Sequence, residues 1–424
     1  MTTTLRPSRS RSGGTTARSR SAGGRTSTSG SGTRKAAATS LRTPVRVKRP
    51  RATKPVGRRS SLFVSLFALV VILNLVGLLM VLSASAVGSN AVYGSPWYQF
   101  QRQFIWLVLG SIALVIAMRI DYHAWRRRAP LLLVGAIGLL ILVLVPGLGL
   151  EVNGASRWLG WGSLRIQPSE IAKLAVLVFV ADLLARRAHR IENTRLTLRP
   201  VLAVFVFVAA LIMLQPNLGT TIILGVIVFV MLFIAGIPLK PLGLTAACGV
   251  AMAAVAAVIE PYRYRRLMGF RDPWADPLNT GYQTIQAQVG VANGGLMGTG
   301  LGEGRAKWGF LPFPHTDFIF AVIGEELGLV GSLTVIALFV ALGVLGIRTA
   351  LLAPDRFGML LAAGVTTWIL VQAFVNIGAV VGALPITGVP LPFVSFGGSS
   401  LLVLMAAAGI LLNVARQARP TPTR

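Results

Sequence analysis

Acidic side chains are scarce in this chain: 13 Asp and Glu stand against 41 Lys and Arg in 424 residues, and no acid occurs before Asp121 or after Asp355. Each carboxylate can therefore be weighed by itself. Cysteine is scarcer still. The single Cys248, in "TAACGV", excludes an intramolecular disulfide or a paired-cysteine metal site and reads as packing material. Three histidines, at 123, 189 and 315, are too scattered to suggest a transition-metal cluster. Charged residues make up only 13% of the chain, whereas 54% are hydrophobic and the mean hydropathy is +0.70. Soluble globular domains do not have that balance; a polytopic membrane protein does.

The formal charge of +28 is concentrated at one end, because residues 1–60 hold 16 Lys and Arg and no acid. This Ser-, Thr-, Gly- and Arg-rich stretch lacks apolar periodicity and is expected to be a disordered tail, either a solvated anchor of topology or an arm for acidic lipid headgroups or an acidic partner. It interleaves no aromatics with its cations, which argues against nucleic acid as a partner. It also lacks the short apolar core and cleavage site of a signal peptide. From residue 61 to 415 the expected fold is all-α and polytopic. Ten apolar stretches lie near 61–83, 103–120, 129–148, 169–185, 200–214, 218–236, 239–259, 317–347, 358–382 and 398–415. A large loop, 260–316, separates the seventh from the eighth, and 416–424 form a short tail. Arg126, Arg127, Arg128, Arg186, Arg187, Lys240, Arg348 and Arg416 all fall on the basic tail's side, so both termini are expected to be cytoplasmic. Trp97, Tyr98, Phe100 and Trp106 read as an aromatic belt at the outer surface.

Two outward loops break the charge bias. One, "EVNGASRWLGWGSLRIQPSEIAK", carries Arg157, Trp158 and Arg165, with Glu170 and Lys173 three apart in the span that follows. Lys173 is placed either to snorkel outward or to bind an anion with Arg157 and Arg165. The other carries Arg263, Arg265, Arg266 and Arg271, then the glycine-rich "GGLMGTGLGEGRAK" with Arg305 and Lys307. That glycine run lacks the ending of a phosphate-binding loop and follows no strand. Asp317 opens the eighth span, as a helix cap or as a general base in a partly dry cavity. Glu325 and Glu326 sit deeper, where an ionised side chain costs at least about 3 kcal/mol unless it is paired, so they read as a buried lock or a proton relay. "LPITGVPLPFVSFGGSS", residues 384–400, has three prolines that forbid a continuous helix, and its Gly397, Gly398 and Ser399 offer either a phosphate seat or a cap to the last span.

These stretches, together with "LQPNLGTTI", "GYQTIQAQVGVANGG" and "HTDFIFAVIGEELGLVG", resemble the SEDS family of membrane glycosyltransferases over about residues 61–415. "RDPWADPLNTGYQ" is closer to the family's division branch than to its elongation branch. The resemblance implies polymerisation of lipid II into β-1,4 glycan, with a class B penicillin-binding transpeptidase and other divisome proteins as partners. It implies that Asp317 is the essential outward aspartate and that Arg165 and Lys173 are basic positions tied to activity. Two departures stand out: "LPFPHTD" lacks the Glu that often precedes this aspartate, and Phe396 stands where the family often has Tyr.

The chemistry follows from a pyrophosphate leaving group, which needs cations more than a general acid. Asp317 would deprotonate the acceptor's 4-hydroxyl. Arg165 and Lys173, helped by Arg157, Arg305, Lys307 and a divalent cation (Mg or Mn), would hold the pyrophosphate. A lipid II transporter is the alternative from another class, since buried acids and broken helices also mark transporters.

Overall fold

The computed structural model describes residues 61–418 apart from 153, 162, 163 and 192. The expected basic tail and the last six residues lie outside the described residues. Ten helices are 18 residues or longer: α1 (Ser61–Tyr93), α2 (Tyr98–Arg119), α3 (Tyr122–Leu142), α4 (Pro168–Arg186), α5 (Thr194–Met213), α6 (Leu218–Ala235), α7 (Leu239–Ile259), α10 (Ile319–Leu351), α11 (Arg356–Val380) and α12 (Ser399–Gln417). Eight are long and apolar enough to cross a membrane. The other two, α3 and α4, carry Arg126–Arg128 or four ionisable side chains within their length. The protein is a multi-pass membrane protein.

Polar side chains set several helix starts. Asp121 accepts from the His123 amide to open α3, which is why that helix begins before the three arginines and not after them. Asn193 and Asn217 cap α5 and α6 in the same way, and Asp355 caps α11 through the Gly358 amide. The "QPN" turn thus ends one helix and begins the next.

The core sits around α11 and α12. α12 is buried along nearly its whole length and packs on α2, while α11 packs on α10, α6 and α4. In contrast α7 buries Leu242 alone and presents Leu244, Val250, Met252, Val255 and Val258 outward, as a helix bathed in lipid chains must. Cys248 lies on this exposed helix, so it is not packing material as its apolar neighbours suggested. Trp106 also departs from expectation. It is 5% exposed and packs against Gly398, leaving Trp97, half-exposed and edge-on to Phe100, to face outward.

The two loops that break the charge bias are structured. Residues 150–166 form a three-stranded antiparallel sheet, β1 (Leu150–Val152), β2 (Ala155–Trp161) and β3 (Leu164–Ile166), with Leu150 opposite Trp158 and Gly160 opposite Arg165. The segment 260–316 contains the basic helix α8 (Pro261–Arg271) and α9 (Tyr282–Gly294), which packs on α10. The proline-rich crossover between α11 and α12 is non-helical, and its backbone is pressed onto α1. A Cβ on Gly77 would lie 2.5 Å from the Phe393 carbonyl oxygen, so only glycine permits this approach. Backbone without regular structure is tolerated at such depth because protein covers it.

Candidate active site

Asp317 does not open a helix: α10 begins at Ile319, and its capping position, Phe318, makes no side-chain cap. The carboxylate instead sits in a turn at the mouth of a recess lined by Asp317, Phe318, Asn376, Ala379, Ile386, Thr387, Gly388 and Val389. Asn376 of α11 donates to the Asp317 carbonyl at 2.7 Å and to the Val389 carbonyl at 2.8 Å, tying the turn to the crossover. Burial pushes the Asp317 carboxyl up to about 6, against an ordinary 3.8, and the nearby Arg266 of α8 partly offsets the rise. Arg266 also donates to the Ile386 carbonyl at 3.4 Å, which places its guanidinium on the same rim. His315 is neutral at pH 7, because burial lowers it to about 4. Its ring stacks edge-on to Phe396, whose amide donates to the His315 carbonyl, and the Arg102 guanidinium lies 5.8 Å from the centre of the Phe396 ring.

Behind the crossover lies a second, closed polar group. Lys173 is fully buried. Its ammonium is 2.9 Å from Glu170 Oε1, donates to Gln372 Oε1 at 3.1 Å and lies 4.8 Å from the Trp368 ring centre. Glu170 Oε2 accepts from the Ser400 hydroxyl at 3.0 Å, and Gln372 donates to the Pro390 carbonyl at 3.0 Å. Every polar atom in this chain of contacts has a partner, as a buried ion pair requires. The effect is to fasten the crossover and the start of α12 to α4 and α11.

Glu325 and Glu326 belong to a third cluster. Glu325 accepts from the backbone amides of Arg305 and Ala306 at 2.9 and 3.0 Å. Glu326 accepts from the Lys307 ammonium at 3.1 Å and from the Ser83 hydroxyl of α1 at 2.6 Å. The backbone of 295–300 is spliced into α10 where that helix breaks, at Gly328, which has φ 66° and ψ −162°. Thr299 and Gly300 amides donate to the Glu325 and Glu326 carbonyls, while Leu329 and Val330 amides donate to Gly295 and Leu296. A Cβ on residue 328 would stand 2.4 Å from the Gly298 nitrogen.

The profile of the FtsW/RodA/SpoVE cell cycle protein family matches residues 63–420. The chain belongs to this family. A probable peptidoglycan glycosyltransferase FtsW of Geobacter metallireducens is 42% identical, over 83% of this chain and 94% of that one. Stage V sporulation protein E of Bacillus subtilis is 41% identical, over 84% of this chain and 97% of that one. Among solved structures, a chain from work on the structural coordination of polymerization and crosslinking by a peptidoglycan synthase complex superposes with a TM-score of 0.69. It is 31% identical and covers 83% of this chain and 97% of its own length.

In this FtsW/RodA/SpoVE-family chain the expected pyrophosphate ligands divide into two sets. Arg165, on β3, and Arg305 expose their side chains. Arg157 donates to the Gln215 and Pro216 carbonyls at 2.8 Å and anchors the sheet, with Trp158 half-buried beside it, to the α5–α6 turn. Lys307 is buried against Glu326 and Lys173 against Glu170, so neither snorkels and neither presents its ammonium to a ligand here. The turn at Gly397, Gly398 and Ser399 opens α12, with the two glycines half-buried and Gly397 lining a second recess, while Ser399 is buried. The Ser400 amide donates to the Gly397 carbonyl, and the Ser399 hydroxyl accepts from the Gln167 amide at 3.0 Å. Among the described residues no three His, Cys, Asp or Glu side chains stand together to hold a metal ion. A divalent cation shared with substrate phosphates does not require such a cluster, since magnesium is commonly held through one or two carboxylates and the phosphates themselves.

Sequence reading missed Arg266, Arg102 and Asn376 as site residues. Arg266 is one cation in a run of similar ones, Arg102 lies in a segment that reads as the start of a span, and Asn376 is a lone polar residue in an apolar helix.

Proposed function

We propose that this protein is a peptidoglycan glycosyltransferase of the division type that polymerises lipid II into β-1,4 glycan strands at the outer face of the cytoplasmic membrane. The observation that carries this reading is the Asp317 recess: one carboxylate, isolated from other acids, raised to about 6 by burial and faced by Arg266. A base with that affinity is ionised at neutral pH yet basic enough to take a proton as a sugar hydroxyl attacks. Asp317 removes the proton from the acceptor's 4-hydroxyl, and the new C–O bond forms as the donor's bond to pyrophosphate breaks, inverting the anomeric carbon. Arg266 and the exposed Arg165 and Arg305 take up charge on the leaving pyrophosphate, in place of Lys173 and Lys307. The 42% identity to a probable peptidoglycan glycosyltransferase FtsW supports a role in division, and the likeness to a chain of a peptidoglycan synthase complex supports a transpeptidase partner. In this reading both termini are cytoplasmic, the septum is the site of action, and the partners are a class B penicillin-binding transpeptidase and other divisome proteins.

The deciding experiment is polymerisation by the purified protein in detergent, with no sealed membrane or gradient. β-1,4 glycan strands formed from lipid II are expected, most readily with the cognate transpeptidase bound. Translocation of lipid II in sealed vesicles with no polymer formed, even with the transpeptidase and divalent ions supplied, overturns the reading in favour of a transporter.

Arg266→Gln gives a second check. Removing a cation near Asp317 makes its ionised form less favourable, so the carboxyl's pKa rises above about 6. The acidic limb of the kcat/KM profile is expected to move to higher pH in this variant. An unmoved limb separates Arg266 from the base.

A further inference from the structure

Asn376 is 2% exposed, yet its amide is only half used. The side-chain nitrogen faces two carbonyl oxygens, those of Asp317 and Val389, so it must be the NH2 end; the reverse assignment would set three acceptors against one another. This orientation leaves Oδ1 buried without a partner. A buried acceptor left unmet is costly, and such atoms in native proteins ordinarily have a water or a ligand to meet. Asn376 also lines the recess that contains Asp317 and Thr387, a space of about 180 Å³ that includes open solvent. Two acceptor-bearing side chains, the Asp317 carboxylate and the Asn376 amide, thus line the recess, the amide oxygen being covered in this structure.

We propose that Asn376 Oδ1 accepts a hydrogen bond from a hydroxyl flanking the one that Asp317 deprotonates, the 3- or 6-hydroxyl of the acceptor N-acetylglucosamine. The proposal rests on the glycosyl-transfer reading above. Asn376 is then a substrate-positioning residue with two arms. Its NH2 fixes the turn that carries the base, and its oxygen holds the sugar so that the 4-hydroxyl meets the base in line. No proton is transferred to Asn376, and no bond to it forms or breaks.

The test combines the full-length protein in detergent with lipid II analogues in which the terminal N-acetylglucosamine lacks either the 3- or the 6-hydroxyl. The wild type is expected to use one of the two about 10- to 100-fold less well in kcat/KM, the range for one lost hydrogen bond in a closed site. Asn376→Ala is expected to use native lipid II poorly by a similar factor and to lose little more with that same analogue. Non-additivity of this kind reports a shared contact, whereas a merely structural Asn376 gives losses that multiply. Asn376→Ser, which keeps a donor for one of the two carbonyls, serves in the same comparison if Ala does not yield a monodisperse protein. Equal use of native and both deoxy substrates by the wild type, or multiplying losses in the variants, overturns the proposal and leaves the recess to water. Absence of polymer from native lipid II with the wild type fails the glycosyl-transfer reading itself, and the proposal with it.

Discussion

Asp317→Asn is expected to lower polymerisation at least about 100-fold, the usual loss when a general base is removed, while the protein inserts and folds normally. The pH behaviour of stability makes this prediction stricter. The folded-state pKa is raised to about 6 from 3.8, so between those values the native protein binds a proton that the unfolded chain has lost. Stability is therefore given up as the pH rises through that window, and the deficit is complete above about 6. Asn carries no charge and escapes it. The variant is expected to melt above the wild type at pH 8, by a margin that narrows as the pH falls toward the ordinary carboxylate value. Glycan strands produced at the wild-type rate by a folded variant would return Asp317 to a structural role. A melting difference that does not change with pH would show that its carboxyl is not raised by burial.

Lys307→Met is expected to be strongly destabilising. Lys307 and Glu326 have side-chain exposures of 5% and 0%, and deleting one partner of such a pair leaves a charge buried against little but the Ser83 hydroxyl. The loss expected is about 3–5 kcal/mol, read as a lower melting temperature and lower yield. Glu326→Gln is expected to cost less, because the amide oxygen still accepts from the ammonium. The double change Lys307→Met with Glu326→Met should recover most of the loss, since replacing both members with apolar groups of similar size removes the unmet charge. If the single and double variants melt alike, the pair contributes shape and not charge. Turnover per folded molecule is expected to be little altered in all of them, which separates this cluster from a proton relay.

Hydropathy located the membrane helices because lipid imposes a run of apolar residues, and it did so closely where nothing else interferes: α7 spans 239–259 as read, α6 differs from the reading by a residue at one end and α4 by a residue at each end. It erred where helix and hydrocarbon part company. α1 continues to Tyr93 through small and polar residues that hydropathy discounts, and α3 starts at Tyr122 because Asp121 caps it ahead of three arginines. Asp317 could be weighed alone because acids are so few, and the family resemblance singled it out as the candidate carboxylate. Its setting was not legible, since Arg266, Asn376 and Gly388 come from three separate stretches and only folding brings them to one recess. Pairings such as Lys307 with Glu326 and Ser83 with Glu326 leave no periodic trace in sequence for the same reason. The sheet at 150–166 was hidden because two of its strands are only three residues long.

The break at Gly328 changes where the two glutamates belong. The portion of α10 after it, residues 329–351, is about 34 Å long at 1.5 Å per residue, already enough to cross the roughly 30 Å of hydrocarbon unaided. The shorter portion before it is therefore surplus to the crossing. Stitched to residues 295–300 and covered by Lys307 and Ser83, it forms part of a protein-built platform that runs directly into the Asp317 turn. Glu325 and Glu326 are then keystones of that platform rather than ions stranded in oil. A single helical stretch of nine residues, 319–327, joins that platform to the turn that carries Asp317, and at 1.5 Å per residue it sets the two about 14 Å apart.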